Sequence, residues 1–245
     1  MEALPPAAAA TPAVVLVPGL GLDARSWRGV WPHLRRTSTV VTLPAMGLPA
    51  RGVADLSVPA QARRLLTQLP LRGNVILVGH SASCQVVVEL AARSQRVHAL
   101  VLVGPTTDPT AATWPRLVMQ WLRTARHERP WEPGVLAPQY RRTGLVSLGR
   151  GMDQMRRHRT DTALTGVSTK VIVIRGEHDR IATAPWCHLL AALSGGSVTT
   201  VAGAGHMVPL THPQLVGRAI ERLCRDDRGQ AVDDGRPMDP PTQLA

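Results

Sequence analysis

Ser81 sits where the apolar run Val75–Val78 has ended at Gly79 and a stretch of helix-forming residues begins. Asp179 lies in "RGEHDRI" and His206 in "AGAGHMVPLTHP". These residue types, in the order Ser, Asp, His, can do nucleophilic chemistry. A serine hydroxyl is a weak nucleophile at neutral pH. It needs a histidine to take its proton, and the histidine needs a carboxylate to fix its tautomer and stabilise the imidazolium. A tight strand-to-helix turn lifts the hydroxyl and aims the helix N-terminus at it, so the Ala82 N–H can stabilise an oxyanion. A second N–H must come from the loop after the first strand, where Leu20 is the candidate.

Each assignment has a plainer rival. G-x-S-x-S alone fits an ordinary helix-capping serine; Asp179 and His206 in register turn the balance to a nucleophile. Glu177 and Asp108 compete for the acid role, and Asp179 is preferred to both. His178 reads as a mere neighbour. His80, beside the serine, is open to two readings: exposed at a pocket or packed below it. Cys84, three residues past the serine, reads as core packing. No His/Cys/Asp cluster has metal-ligand spacing, and Gly19-Leu20-Gly21 continues into neither G-x-G-x-x-G nor a Walker lysine. No metal and no cofactor are expected.

The elements that must position these residues follow from the apolar runs. Strands are expected at 13–17, 38–43, 74–79, 97–104, 169–176 and 197–203. Helices are expected at 23–35 with Asp23 as N-cap, 58–69 with Ser57 as N-cap and Pro59 in the first turn, 81–93, 113–125, 184–194 and 212–225. The alternation indicates an α/β fold: a doubly wound, mainly parallel six-stranded sheet with helices on both faces. Every notable polar residue then falls at the carboxyl ends of strands, where such sheets bind ligands. Residues 105–165 break the rhythm and hold no convincing strand, so they read as a helical insertion. Residues 1–12 are rich in Ala and Pro and read as a flexible lead. The polar tail 226–245 reads as disordered.

At this point the chain resembles the α/β-hydrolase family, through "VLVPGLGLDARSW", "GHSAS", "RGEHDRI" and "GAGHMVPLTHP" in the right order. The resemblance spans about residues 13–225. It implies a core of 13–104 and 166–225 and a cap of 105–165 that covers the serine. It also implies Ser81 as nucleophile, His206 as base, Asp179 as acid, and Leu20 and Ala82 as oxyanion donors. Three departures stand out. Ser83 replaces the usual elbow glycine, Pro18-Gly19 replaces His-Gly, and the family's two leading antiparallel strands are not expected before the strand at 13–17. The cap holds Trp114, Trp121, Trp131 and Tyr140, most of the aromatic residues of a chain without Phe. With His80 and Met207 they are the candidate pocket residues, though Trp114 and Trp121 can equally pack the cap onto the core.

The resulting expectation is a serine hydrolase. It cleaves a carboxylic ester, lactone or thioester of a small apolar molecule through an acyl-serine. An acyltransferase, thioesterase or cofactor-free perhydrolase would use the same site. A non-catalytic ligand-binding member of the fold is the alternative of a different class.

Composition bounds the rest. The 245 residues are 44% hydrophobic but only 3% aromatic, so the core must come from Val, Leu, Ile and Ala. The formal charge of +11 is almost all arginine, and no nucleic-acid-binding motif accompanies it. Residues 105–165 carry ten Arg against five Asp and Glu, a net +5. An anionic substrate is conceivable, but a solvated basic face is the preferred reading. Three distant cysteines without CxxC suit a reducing cytoplasm. The N-terminus lacks a basic n-region and no 18-residue apolar run occurs, so neither a signal peptide nor a membrane partner is expected. Monomer and homodimer are both open.

Overall fold

The computed structural model describes residues 12–229. Six strands form one sheet: β1 Ala13–Val17, β2 Ser38–Val40, β3 Val75–His80, β4 Val97–Val103, β5 Lys170–Gly176 and β6 Ser197–Val201. Their order is β2-β1-β3-β4-β5-β6, and every pairing is parallel. No antiparallel strand joins this sheet among the described residues. Side chains alternate across the sheet. Val15, Val17, Leu77, Leu100 and Val173 face one layer, and Val14, Leu16, Ile76, Val101 and Ile174 face the other. Both faces are buried, so the strands read as unbroken apolar runs and not as alternating ones.

The first layer is covered by α1 Val58–Thr67, α2 Ser83–Ala91 and a later helix, Ala184–Leu193. Ser57 caps α1 by accepting from the Ala60 N–H, as its sequence predicts. The second layer is covered by Trp27, Val30 and the last helix, Pro213–Gly229. Between β4 and β5 the chain leaves the sheet. There it forms α3 Trp114–Ala125, α4 Glu132–Thr143, α5 Leu145–Met155 and α6 Thr160–Leu164, with no strand among these residues. In chain order, Ala184–Leu193 is α7, the short turn Val208–Thr211 is α8 and Pro213–Gly229 is α9.

Three expectations are corrected. Residues 23–35 form two 3₁₀ turns, Ala24–Trp27 and Trp31–His33, not one helix. Asp23 does cap the first turn, but Gly29 is pressed against Pro213 and Pro32 has no N–H to continue a helical ladder. The second strand stops at Val40, because Leu43–Pro44 turns away to pair with Gly47–Leu48. The last helix runs to Gly229, beyond the expected tail boundary at 226, since no helix breaker intervenes in "RDDRG". The rest of the expected tail and nearly all of the expected N-terminal lead lie outside the described residues.

Candidate active site

Chain order reverses between β1 and its neighbours β2 and β3, which opens a crevice at the carboxyl edge of the sheet. Ser81 stands there, directly after β3, with a φ of +56°. This left-handed conformation is costly for a residue with a Cβ and turns the side chain up out of the sheet. The turn is tight enough that a Cβ on Gly79 would lie 2.9 Å from the Cys84 backbone. Cys84 itself is buried, and burial pushes its thiol well above the ordinary value, so it is no nucleophile.

Ser83 is wholly buried, and its hydroxyl is put to use. It accepts the His80 N–H at 2.8 Å, and its proton is shared between the carbonyls of Val17 at 2.8 Å and His80 at 2.9 Å. It thus ties the serine turn to the end of β1, which leads into the Leu20 loop. Ser83→Ala leaves a buried N–H and carbonyl unpaired and is expected to cost about 1–3 kcal/mol. Urea denaturation checks this, and an unchanged midpoint would refute the bridging role.

His206 follows β6 and bridges two side chains. Its Nε2 is 2.9 Å from Ser81 Oγ and its Nδ1 is 2.7 Å from Asp179 Oδ2. Asp179 is fully buried, and its other oxygen accepts the N–H groups of Ile181 at 2.8 Å and Ala182 at 2.9 Å. Burial works to raise its pKa, but His206 and these N–H donors outweigh it and hold the carboxyl below the ordinary value. Burial likewise works to lower the His206 pKa, and the Asp179 charge and hydrogen bond outweigh it, so the imidazole lies above the ordinary histidine value. Of the rival acids, Glu177 accepts from the Gly203 N–H and Asp108 from Thr110, so neither meets His206. His178 stacks on His127, away from the serine.

His80 is fully buried and still forms cavity wall, which joins the two readings left open by its sequence. Burial lowers its pKa to about 3, with the His206 charge second, so it is neutral. Its Nε2 lies 3.2 Å from the His206 carbonyl oxygen and donates to it. The N–H groups of Leu20 and Ala82 donate to no other group among the described residues.

Two cavities meet at His206. One, of about 380 Å³, is lined by Ser81, Leu20, His80, Trp114, Trp121, Tyr140 and Met207 among others. The second, of about 250 Å³, shares Trp121, Tyr140, His206 and Met207 and adds Glu128 and Glu132. Trp131 lines neither; at the N-cap of α4 it stands half-exposed, which corrects its assignment to the pocket. The arginines of 105–165 are exposed, except for a partly covered Arg156 that lies over the Trp114 ring. The basic surplus therefore faces solvent.

Sequence reasoning missed several supports. Arg175 is buried and donates to the backbone carbonyls of Ala182, Glu177 and Asp179, pinning the aspartate loop. Gly104, at φ +56°, lies under the His206 ring, where a Cβ would come within 3.0 Å. The helical segment is tied to all three loops. Gln139 accepts from the Asp23 N–H, Thr124 from the Arg180 N–H, and Glu128 from the His206 N–H. Among the described residues no group of three His, Cys, Asp or Glu could hold a metal, and no helix is long and apolar enough to cross a membrane.

A serine on a strained strand–turn–helix corner, above a doubly wound parallel sheet, marks a class of α/β proteins whose chemistry sits at the sheet's carboxyl edge. The chain belongs to the alpha/beta hydrolase family, whose model matches residues 14–219. Among solved structures it is similar to a hydrolase from Oleispira antarctica, with TM-score 0.73, 16% identity, and 88% of this chain and 91% of that chain covered. It is also similar to Est816, an N-acyl homoserine lactone degrading enzyme, with TM-score 0.70, 14% identity, and 87% and 93% covered. MenH from S. aureus gives TM-score 0.71 at 12% identity, with 91% and 96% covered. No curated protein matches the chain.

Proposed function

We propose that this enzyme is a serine hydrolase that cleaves an ester-like bond of a small, mainly apolar molecule. The observation that carries the reading is the unbroken contact from Ser81 through His206 to Asp179, at 2.9 Å and 2.7 Å, beside an apolar cavity of about 380 Å³. Ser81 Oγ attacks the carbonyl carbon as His206 Nε2 takes its proton. Asp179 keeps the Nδ1 proton in place and stabilises the imidazolium. The N–H groups of Leu20 and Ala82 receive the oxyanion. His206 then gives its proton to the leaving oxygen or sulfur, leaving an acyl-serine. Water, deprotonated by His206, releases the acid. Residues 105–165 act as the cap, and Trp114, Trp121 and Tyr140 supply its apolar walls. No cofactor enters these steps. Cys84, Cys187 and Cys224 are buried and joined by no disulfide, which suits work in a reducing cytoplasm.

Carboxylic esters, lactones and thioesters of graded size, assayed together with fluorophosphonate labelling, test the reading. Turnover with labelling at Ser81 is expected. Ligand binding without turnover or labelling would favour a non-catalytic member of the fold instead. The lactone-degrading neighbour supports including cyclic esters.

The base must be neutral to accept a proton. Because Asp179 raises the His206 pKa, kcat/KM is expected to climb with pH through a midpoint above the ordinary histidine value. A pH profile checks this, and a midpoint below that value would contradict the Asp179–His206 coupling.

A further inference from the structure

Glu128 and Glu132 stand outside the Ser81–His206–Asp179 chain, yet they are placed against it. Glu128 follows α3 and Glu132 opens α4. Each spends one carboxyl oxygen on a backbone N–H. Glu128 Oε1 accepts from His206 at 2.6 Å, and Glu132 Oε1 accepts from Arg129 at 2.8 Å. Each keeps a second oxygen, Oε2, that is buried and reached by no donor among the described residues. Glu132 is wholly buried, and the two side chains are within hydrogen-bonding reach of each other. Two buried carboxylates in contact cannot both be ionised at low cost, and the missing donor is supplied if one proton lies between them.

We propose that Glu128 and Glu132 share one proton and act together as positioning residues, holding the backbone of His206 so that its ring stays on Ser81. The proposal rests on the hydrolase reading above, since His206 is the base there. Glu128 is the direct clamp. It fixes the N–H of the residue whose ring must meet Ser81 Oγ, and the carboxyl packs against Gly205, where a Cβ would come within 2.7 Å of it. Glu132 keeps Glu128 in place, and Arg129 N–H keeps Glu132 in place. His80 secures the other side of the same residue by donating to the His206 carbonyl. The base is thus held at both its N–H and its C=O.

The groups facing the pair are Arg129 beside it, Tyr140 on α4 and His206 across the cavity. Burial, and then the hydrogen bond that protonated Glu132 donates to Glu128, push the Glu132 carboxyl up to about 8. Burial, with the Glu128 and Glu132 charges, pushes Tyr140 up to about 12. Burial works to lower the His206 imidazole, and the Asp179 charge and hydrogen bond, with the Glu128 and Glu132 charges, outweigh it and hold it above the ordinary histidine value. Removal of the shared proton leaves two charges in contact and releases the clamp. Turnover is therefore expected to fall reversibly above about pH 8, chiefly in kcat, because the step lost is proton transfer and not substrate binding.

The test compares wild type with Glu132→Gln and Glu128→Ala from pH 6 to 10. In Glu132→Gln the amide donates permanently where the shared proton was, so the alkaline fall is expected to vanish. In Glu128→Ala the His206 N–H loses its acceptor, and kcat is expected to fall at least tenfold with KM changed less than threefold. An alkaline limb identical in Glu132→Gln and wild type overturns the proposal, as does a wild-type profile flat to pH 10. Carboxyl-carbon NMR provides a readout independent of turnover. One glutamate titrating near 8 in wild type and absent from Glu132→Gln supports the shared proton, and all carboxyls titrating below pH 6 refutes it. If wild type neither turns over esters nor takes a fluorophosphonate, the hydrolase reading fails while the NMR titration still decides the pair.

Discussion

Ser81→Ala is expected to lower turnover by about 10⁶-fold, or about 8 kcal/mol of transition-state stabilisation, and to abolish fluorophosphonate labelling. Loss of Oγ removes the atom that His206 Nε2 holds at 2.9 Å, and among the described residues no second side chain is bonded to that nitrogen. Cys84, the nearest thiol in sequence, is buried with its Sγ on the carbonyls of Gly79 and Val103. Stability separates this from general damage. Alanine keeps a Cβ at φ +56°, so the strain stays and the melting temperature is expected to hold. Ser81→Gly removes both hydroxyl and strain, so it is expected to be equally inactive yet more stable, by about 1 kcal/mol. Labelling that persists in Ser81→Ala would overturn the nucleophile assignment.

Asp179→Asn is expected to cost about 10⁴-fold in kcat through the wrong histidine tautomer. One oxygen of residue 179 is committed to the N–H groups of Ile181 and Ala182, so an amide places its oxygen there and its NH₂ against His206 Nδ1. Nδ1 must then accept, which puts the ring proton on Nε2, facing Ser81. Such a ring cannot take the serine proton. The same change removes the charge that raises the His206 pKa, so the acid limb of the residual activity moves down. A loss under tenfold would mean that Asp179 is not the group orienting the histidine. Neither Glu177 nor Asp108 is placed to take over, since both are committed to backbone groups elsewhere.

The sheet was legible because its inner strands β1, β3, β4 and β5 are buried on both faces and so announce themselves as short runs of Val, Ile and Leu, while the edge strands β2 and β6 show as β-branched Val and Thr. The residues above it were legible because they follow those runs directly: Ser81 after β3, Asp179 after β5, His206 after β6. What escaped was everything joined across the chain with no local pattern. Glu128 reaches an N–H 78 residues away, and Gln139 one 116 residues away. Arg175 sits on an apolar strand and looks like a mere interruption until its three carbonyl partners are seen. Residues 23–35 misled for the opposite reason. Their capping aspartate and apolar spacing are genuine, but Pro32 and the contact of Gly29 with the last helix decide the backbone. Ser83 gave a departure from pattern without its reason, since the Val17 carbonyl that it ties to the serine turn lies 66 residues away on β1.

The ties from Gln139, Thr124 and Glu128 to the three loops bear on how substrate arrives. A helical roof bolted at three corners does not swing as a door. Swinging it would break the same bonds that hold Asp23, Arg180 and His206, and so disassemble the site in the act of opening it. Substrate is then expected to pass between side chains that change rotamer, Trp114, Trp121 and Leu145 being among those that line the cavity. Selection is then expected to be by cross-section, with turnover of slender esters exceeding that of bulky ones of equal reactivity.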